Sequence, residues 1–434
     1  SRYFQSPLLY KENGFKEEKD ARQLLGILSE NPPFTAEVEK IEKKKENKNP
    51  PLLFNLAELQ NECSKLFKLS PDETLKIVQE LYEKKLVTYP RTDARVLSSA
   101  VAKEISKNIR GLLNYEHANA FAGEILEQGS YKNIGKTRYV NDKQITDHYA
   151  IIPTGQGLGA LKSLTVQSAR VYEVIVKRFL SIFYPPAVYQ KISLVSVTEK
   201  ERLFSSFKVL ISPGYLKVTG YSFGKNKKEE IGQKGQEEEQ TEDTAFLELI
   251  RKVKKGSSLP IQEFYIKEGE TSPPKRYTSG SMILAMENAG QLIEEEELRA
   301  QIKGSGIGTS ATRAEILKKL ITIKYLALNK KNQVITPTLL GEMIFDVVNN
   351  SIRSLLNPEL TASWEKGLTY VAEGTITSEE YMVKLEDFIR RRTQGVMNLR
   401  NQLALKQYFD QAAGYYKKTA GKSGSKKRRA GEKK

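Results

Sequence analysis

The chain has 434 residues, 39% hydrophobic and 28% charged, which is apolar material for about two to four domains and contains no run of the roughly 20 apolar residues that a membrane span needs. A single cysteine, Cys63, excludes an intrachain disulfide and a thiolate zinc cluster, and two histidines, His117 and His148, exclude a His-rich metal site. Lys and Arg number 69 against 53 Asp and Glu, a formal net charge of +16, and nine of those basic residues, with one acid, lie in Lys417–Lys434.

The composition of that last stretch offers almost nothing to bury, so we expect it to be disordered, as a solubilising tail, a localisation signal or an arm for a polyanion. A basic tail on a mildly basic body points to nucleic acid. The chain opens at Ser1 with no apolar signal segment. We therefore expect a cytoplasmic protein that associates with nucleic acid and has no membrane partner, and a piece of a longer polypeptide.

In chain order, residues 1–50 mix short apolar stretches with a Lys/Glu run and end at Pro50-Pro51, which reads as a polar crossing between domains. Helical periodicity begins at Leu52. Ser70-Pro71-Asp72-Glu73 is a capping box with proline at the first helical position, and Leu75, Val78, Leu81 and Tyr82 carry the helix toward Lys85. Further helices are predicted from Ser98 and over Val166–Phe183, the latter stopped by Pro185-Pro186. The period then changes to two. Ile192, Leu194, Phe207, Val209 and Ile211 read as strands, with Ser212-Pro213-Gly214 as the turn between two of them. Residues 224–243 read as a mobile loop and Leu259–Ile266 as a return strand. Helices resume over Met282–Ala289, Ala311–Leu320 and Ser378–Asn398. The fold class is thus mixed α and β, multidomain, with strands contributed from both sides of the first helical block.

Three segments could carry chemistry. Tyr89 precedes Pro90, which pushes it toward an extended conformation, so Arg91 two residues on shares its face. A phenol is a poor nucleophile at neutral pH, and a guanidinium beside it favours the phenolate and can hold a phosphate. That pairing suits attack on a phosphodiester, and equally Tyr89 is an ordinary half-buried loop residue. His148, in Asp147-His148-Tyr149-Ala150, could donate to a phosphate oxygen or be a structural histidine. The run Gly304–Ala314 places glycines, Thr309, Thr312 and Arg313 ahead of a helix, where free N–H groups and hydroxyls suit a phosphate. It lacks the Gly-Lys-Ser/Thr of a nucleotide-binding loop, so neither ATP nor GTP is expected.

Taken together and in this order, the segments resemble type IA DNA topoisomerases of the topoisomerase III kind. Thr88-Tyr89-Pro90-Arg91-Thr92-Asp93 is similar to the active-site signature, and Pro51–Leu56 with Leu59-Gln60 to the stretch leading into it. Asp147–Thr154 resembles the histidine motif. Arg178-Phe179-Leu180, Tyr184-Pro185-Pro186, Pro274–Thr278, Met286-Glu287, Gly306–Ala314 and Leu360-Thr361-Ala362 with Trp364-Glu365 complete the likeness over about residues 1–395. The resemblance implies a toroid core. Its arching β domain would be 1–50 with 188–270, its helical tyrosine domain 51–187 and its helical DNA-gripping domain 271–395, with a helix end and tail at 396–434. It implies that Tyr89 attacks one strand to form a 5′-phosphotyrosine, that Arg91 and His148 serve the scissile phosphate, and that Thr92, Asp93, Thr309, Thr312 and Arg313 contact DNA. It implies single-stranded or negatively supercoiled DNA as the partner, strand passage and religation as the reaction, and no consumption of ATP.

The chain also departs from the family pattern. The TOPRIM domain, with the acidic ligands for Mg²⁺, has no counterpart here, and neither has a C-terminal zinc module. Tyr149 stands where a second histidine is usual, Ser279 for a frequent glutamate and Ser310 for a frequent proline. The full enzyme would use Mg²⁺, and this chain would be incomplete without a TOPRIM domain, in the same polypeptide or supplied in trans. The alternative is a non-catalytic single-stranded DNA-binding relative. Relaxases need a histidine cluster and recombinases a late tyrosine among other arginines, so neither fits.

Overall fold

The computed structural model describes residues 9–10, 14–223, 245–293, 296 and 306–424. Contacts divide the chain into two compact units. One draws on Ser1–Leu53, Ser99–Val140 and Glu173–Pro274, the other on Phe54–Ser98, Asn141–Tyr172 and Lys275–Lys434. The mixed α and β class predicted from the sequence holds. Among the described residues no helix is long and apolar enough to cross a membrane.

The first unit contains an antiparallel sheet of β1 (Leu9–Tyr10), β2 (Phe34–Lys48), β3 (Ala187–Thr198), β4 (Glu201–Ser212) and β5 (Ser258–Ile261), in the order β1-β4-β3-β2-β5. Helix α1 (Glu18–Leu28) precedes β2. The Lys/Glu run that reads as a polar crossing is in fact the 15-residue strand β2, paired with β3 along nearly its whole length. Only Ala36 and Val38 of it are buried, so no alternation betrays it. Its charges are nonetheless used. Glu39 and Glu46 pair with Arg202 and Lys208 of β4. The Lys43 ammonium donates to the carbonyls of Ile250 (2.6 Å) and Val253 (2.9 Å), capping the helical segment 245–252. That segment lays Phe246 and Ile250 on Val38, Ile192, Leu194 and Val209 of the sheet.

The turn between β3 and β4 is not at Ser212-Pro213-Gly214, which instead leads out of β4. It is the two-residue link Glu199-Lys200, both at positive φ (44° and 70°), between the paired Thr198 and Glu201. Such a turn ordinarily advertises itself with Asn or Gly, and here it does not. The expected return strand is β5, shorter than predicted and paired with the start of β2. The expected loop at 224–243 lies outside the described residues. Helices α4 (Ser99–Gly111) and α5 (Asn119–Gln128) complete this unit with Ile105, Ile109, Ala122 and Ile125 in its core. The Arg178 guanidinium and the Tyr139 hydroxyl donate to the carbonyls of Leu52 and Pro50, fixing the exit from β2.

The second unit is largely helical. Its α2 (Leu56–Phe67) is capped by Asn55. The capping box at Ser70 forms as read, and α3 (Pro71–Glu83) buries Leu75, Val78 and Leu81. Cys63 is buried in α2, and burial pushes its thiol up out of the reactive range. Helix α6 (Val166–Ser181), whose residues from Glu173 on belong to the first unit, follows the prediction to within two residues. Helix α7 (Ser279–Glu287) packs on α2 so closely that a Cβ on Gly280 would lie 2.6 Å from the Cα of Asn61. Ala57, Ile283, Leu317 and Ile335 form the core at that crossing. Ser279 is wholly buried, and its hydroxyl donates to Gln333 at 2.7 Å. Beyond it come α8 (Arg313–Thr322), the hairpin β6 (Leu326–Leu328) and β7 (Ile335–Pro337), then α9 (Leu339–Asn349), α10 (Pro358–Ala372), α11 (Ser378–Met397) and α12 (Gln402–Gly424). Helix α12 runs through Lys417–Gly424, correcting the expectation that the tail is disordered from Lys417 on. Residues 425–434 lie outside the described residues.

Gly280 sets up a direct test. Gly280→Ala should cost about 1–3 kcal/mol in urea unfolding because backbone must move to admit the methyl. Gly395→Ala in α11, where nothing lies within 4 Å of the added Cβ, should be neutral or stabilise by up to about 1 kcal/mol.

Candidate active site

The segment after α3 turns through Lys84 and Lys85 and then runs antiparallel to residues 150–154. Val87 bridges Pro153, and the Thr88 N–H donates to the Ile152 carbonyl at 3.0 Å. The Thr88 hydroxyl donates to the Ala150 carbonyl (3.1 Å) and accepts from the Ile152 N–H (3.0 Å). These bonds bring Tyr89 and His148, 59 positions apart in the chain, face to tilted face at 4.4 Å between ring centroids. Tyr82 also meets the Tyr89 ring, edge to face, with centroids 5.5 Å apart. Tyr82 sits at the end of α3 and is 39% exposed. Sequence reading used it only as a helix residue, although its place seven residues before Tyr89 was in view.

Tyr89 is half-buried, and Arg91 and His148 are exposed. The Arg91 guanidinium has no ion pair or hydrogen bond among the described residues, which leaves all of its donors available. The structure therefore brings Tyr89 and His148 into contact and sets Arg91 beside them on the surface of the same turn.

The residues expected to touch DNA divide differently. Thr309 and Thr312 are exposed. Thr92 is only 4% exposed, its hydroxyl donating to the His148 carbonyl at 2.8 Å and accepting from the Ala94 N–H at 3.1 Å. It holds the tyrosine turn to the histidine segment from within. Asp93 accepts from the Arg313 guanidinium at 2.8 Å. Arg313 is the largest of the fully buried side chains, at 2% exposure. Contrary to the expectation that it faces a strand, it points inward. Its Nε and Nη2 donate to the carbonyls of Ile307 (3.2 Å) and Gly308 (3.1 Å). The reason lies in the turn itself. Gly306 and Gly308 both have φ +67°, and a Cβ on Gly306 would lie 2.5 Å from the Met286 carbonyl. The chain can therefore double back close to α7 only as glycine, with its carbonyls directed at the guanidinium. The expected free N–H groups of this turn are in part consumed. Thr309 N–H donates to the Thr312 hydroxyl, and the N–H groups of Thr312 and Arg313 donate to the Thr309 carbonyl.

Asn55 and Glu287 complete the inner layer, and both stand in stretches that sequence reading quoted without giving them a role. The Asn55 side chain caps α2 through Glu58 N–H (2.9 Å), donates to the Asp93 carbonyl (3.1 Å) and donates to Glu287 (2.6 Å). Burial raises the Glu287 carboxyl above the usual carboxylate range. Asp93 and Glu58 add to this, while Arg313 and the Asn55 bond oppose it. Glu58 is in turn held by Arg95 at 2.6 Å. Among the described residues no three His, Cys, Asp or Glu side chains are gathered as a metal ion requires.

Comparison with known proteins defines the class. A sequence-family profile described as DNA topoisomerase matches residues 5–383, and the chain belongs to that family, in its type IA branch. It is 32% identical over 373 residues to DNA topoisomerase 3 of Bacillus licheniformis, covering 85% of this chain and 48% of that protein. It is 31% identical over 352 residues to DNA topoisomerase 3 of Bacillus subtilis, covering 80% and 45%. The chain thus spans about half the length of the curated relatives it matches. Its fold is that of full-length topoisomerase I from Thermotoga maritima, with TM-score 0.59 and 23% identity over 88% of this chain and 55% of that one.

The raised Glu287 carboxyl predicts a pH effect. The folded chain holds this proton more tightly than the unfolded chain, so the associated stability is present below the ordinary carboxylate pKa and lost as pH rises through the folded value. Glu287→Gln keeps an acceptor for Asn55 and cannot ionise. Its melting temperature should match the parent's near about pH 4 and exceed it near about pH 7. An equal offset at both would show that Glu287 does not titrate in that window.

Proposed function

We propose that this chain is the tyrosine-bearing core of a type IA topoisomerase that opens one DNA strand through Tyr89. The reading rests on one observation above the others: a half-buried tyrosine whose ring contacts both Tyr82 and His148, two residues from an exposed arginine with no partner among the described residues. The Tyr89 phenolic oxygen attacks the phosphorus of a backbone phosphate and forms a bond to the 5′ phosphate. The P–O3′ bond breaks, and the 3′ oxygen leaves as a hydroxyl with the proton that the phenol gives up. A second strand crosses the gap, and the 3′ hydroxyl then attacks the phosphotyrosine to restore the strand. One phosphoester replaces another, so no nucleotide is consumed.

Arg91 supplies a planar fork for the charge on the phosphate and favours the phenolate. His148 offers a ring N–H to a phosphate oxygen from the face of Tyr89. Thr309 and Thr312 meet the strand with hydroxyls. The tyrosine-bearing helical domain on this reading is 51–187. The acidic ligands for Mg²⁺ belong to a TOPRIM domain, in the same polypeptide or supplied in trans. Relaxation and decatenation are then properties of the whole assembly, acting on negatively supercoiled or single-stranded DNA.

The test is a covalent adduct on an end-labelled single-stranded oligonucleotide with Mg²⁺, with and without a separately made TOPRIM domain. We expect an adduct only with that domain, none with Tyr89→Phe, and a loss of about 100-fold or more with Arg91→Ala. Adduct formation by the phenylalanine variant would remove Tyr89 from the reaction. Strand binding with no adduct in either condition would turn the reading to a strand-binding protein.

A further inference from the structure

Arg313 lies in the stretch whose composition suggests a phosphate grip, yet nothing about its side chain suits that task. It is buried, and among the partners of its donors are one carboxylate and two carbonyls within the same unit. The two things it joins are the two parts of the site that face outward. On one side, Asp93 is four residues beyond Tyr89 and two beyond Arg91. On the other, Ile307 and Gly308 directly precede Thr309. Asn55 braces the same junction, donating to the Asp93 backbone carbonyl and to Glu287 at the end of α7. The glycine turn is in turn anchored on α7, since the Ile307 N–H donates to the Met286 carbonyl at 2.8 Å.

We propose that Arg313 is a positioning residue that locks the Tyr89 turn to the glycine turn, and that it makes no contact with the strand. The inference rests on the strand-cutting reading above and extends it to how the tyrosine is aimed. A strand seated on the Thr309 and Thr312 hydroxyls presses on the turn whose carbonyls hold the guanidinium. The guanidinium passes that position to Asp93, and through four residues of chain to Tyr89. The lock requires arginine. Three donors of a rigid planar fork point in three directions at once, and a lysine ammonium on a flexible stem cannot reach the carboxylate and both carbonyls together. The Asp93 side chain, part-exposed, can be hydrated when the lock is broken, so the turn is freed without leaving a bare buried charge.

The experiment separates aiming from gripping. In the 434-residue chain, Arg313→Met, Arg313→Lys, Asp93→Asn and the double variant Asp93→Asn/Arg313→Met are compared for oligonucleotide affinity across salt concentrations. Adduct formation with a TOPRIM domain and amide hydrogen exchange over 88–95 are measured on the same set. We expect Arg313→Met to slow adduct formation about 10- to 100-fold, as a small misplacement of a reacting group does. Its affinity should stay within about twofold and its salt dependence unchanged, because no phosphate contact is lost. Asp93→Asn should do the same, and the double variant should be no slower than the slower single one, since both remove one link. Arg313→Lys should fall between the parent and Arg313→Met. A salt dependence shallower by about 0.7 in log–log slope in Arg313→Met would mark a strand contact and overturn the proposal. Losses that multiply in the double variant would do so too. Hydrogen exchange decides the lock without any chemistry: amides 88–95 should exchange faster in both Arg313 variants, and unchanged exchange would sink it. If the parent chain forms no adduct at all, the strand-cutting reading fails while the exchange result still stands or falls by itself.

Discussion

The guanidinium of Arg313 against the carboxylate of Asp93 is the interaction on which the site depends. It joins residues 220 positions apart and is only partly open to water, through Asp93 alone. A charge-assisted hydrogen bond of this kind is worth about 1.5–3 kcal/mol, a large share of the stability of a typical domain. Its effect is as much geometric as energetic. The fork admits one arrangement of three acceptors, and two of them are carbonyls that a glycine turn at φ +67° presents. Asn55 extends the constraint to the start of α2 and the end of α7, so three segments distant in sequence share one polar junction.

The outer layer of the site is built on that junction and has a different character. Tyr82, Tyr89 and His148 touch through their rings, with no hydrogen bond between the side chains. Ring contacts hold an attitude while leaving the phenol and imidazole polar atoms uncommitted, as a group that must react or bind requires. Thr88 and Thr92 do the fastening beneath, tying the tyrosine segment to residues 148–152 through hydroxyl and backbone bonds. Polar groups that bond inward position the site, and those left exposed are the ones offered to a ligand. The separation explains why a threonine and an arginine inside family-like motifs are buried while Arg91, Thr309 and Thr312 are not.

Much of the fold was legible because it was written locally. The Ser70 capping box, the proline at position 71 and the apolar spacing of α3 are short-range signals, and they hold. Two elements escaped for the opposite reason. Strand β2 carries charges on both faces, and it pairs because β3 lies alongside over nearly its whole length, which no local pattern in 34–48 announces. The Glu199-Lys200 turn adopts positive φ without a glycine, held there by the register of the strands it joins. The proline and glycine at 213–214 are the stronger local signal, and they mark a different turn.

By itself the sequence determined which chemistry is on offer: a tyrosine with an arginine two residues away, a histidine motif, a glycine-opened helix with hydroxyls, and too few cysteines and histidines for a soft-metal centre. Residue type and near-neighbour spacing suffice for that, because they set pKa ranges, donor counts and backbone preference. Only the tertiary structure decided which of those groups face outward. Direction and burial come from contacts among segments hundreds of positions apart, so Arg313, a phosphate ligand by type and position, became the buried fork that joins Asp93 to the glycine turn. Asn55 and Glu287 entered the site by the same route, through packing that their immediate neighbours in the chain do not encode.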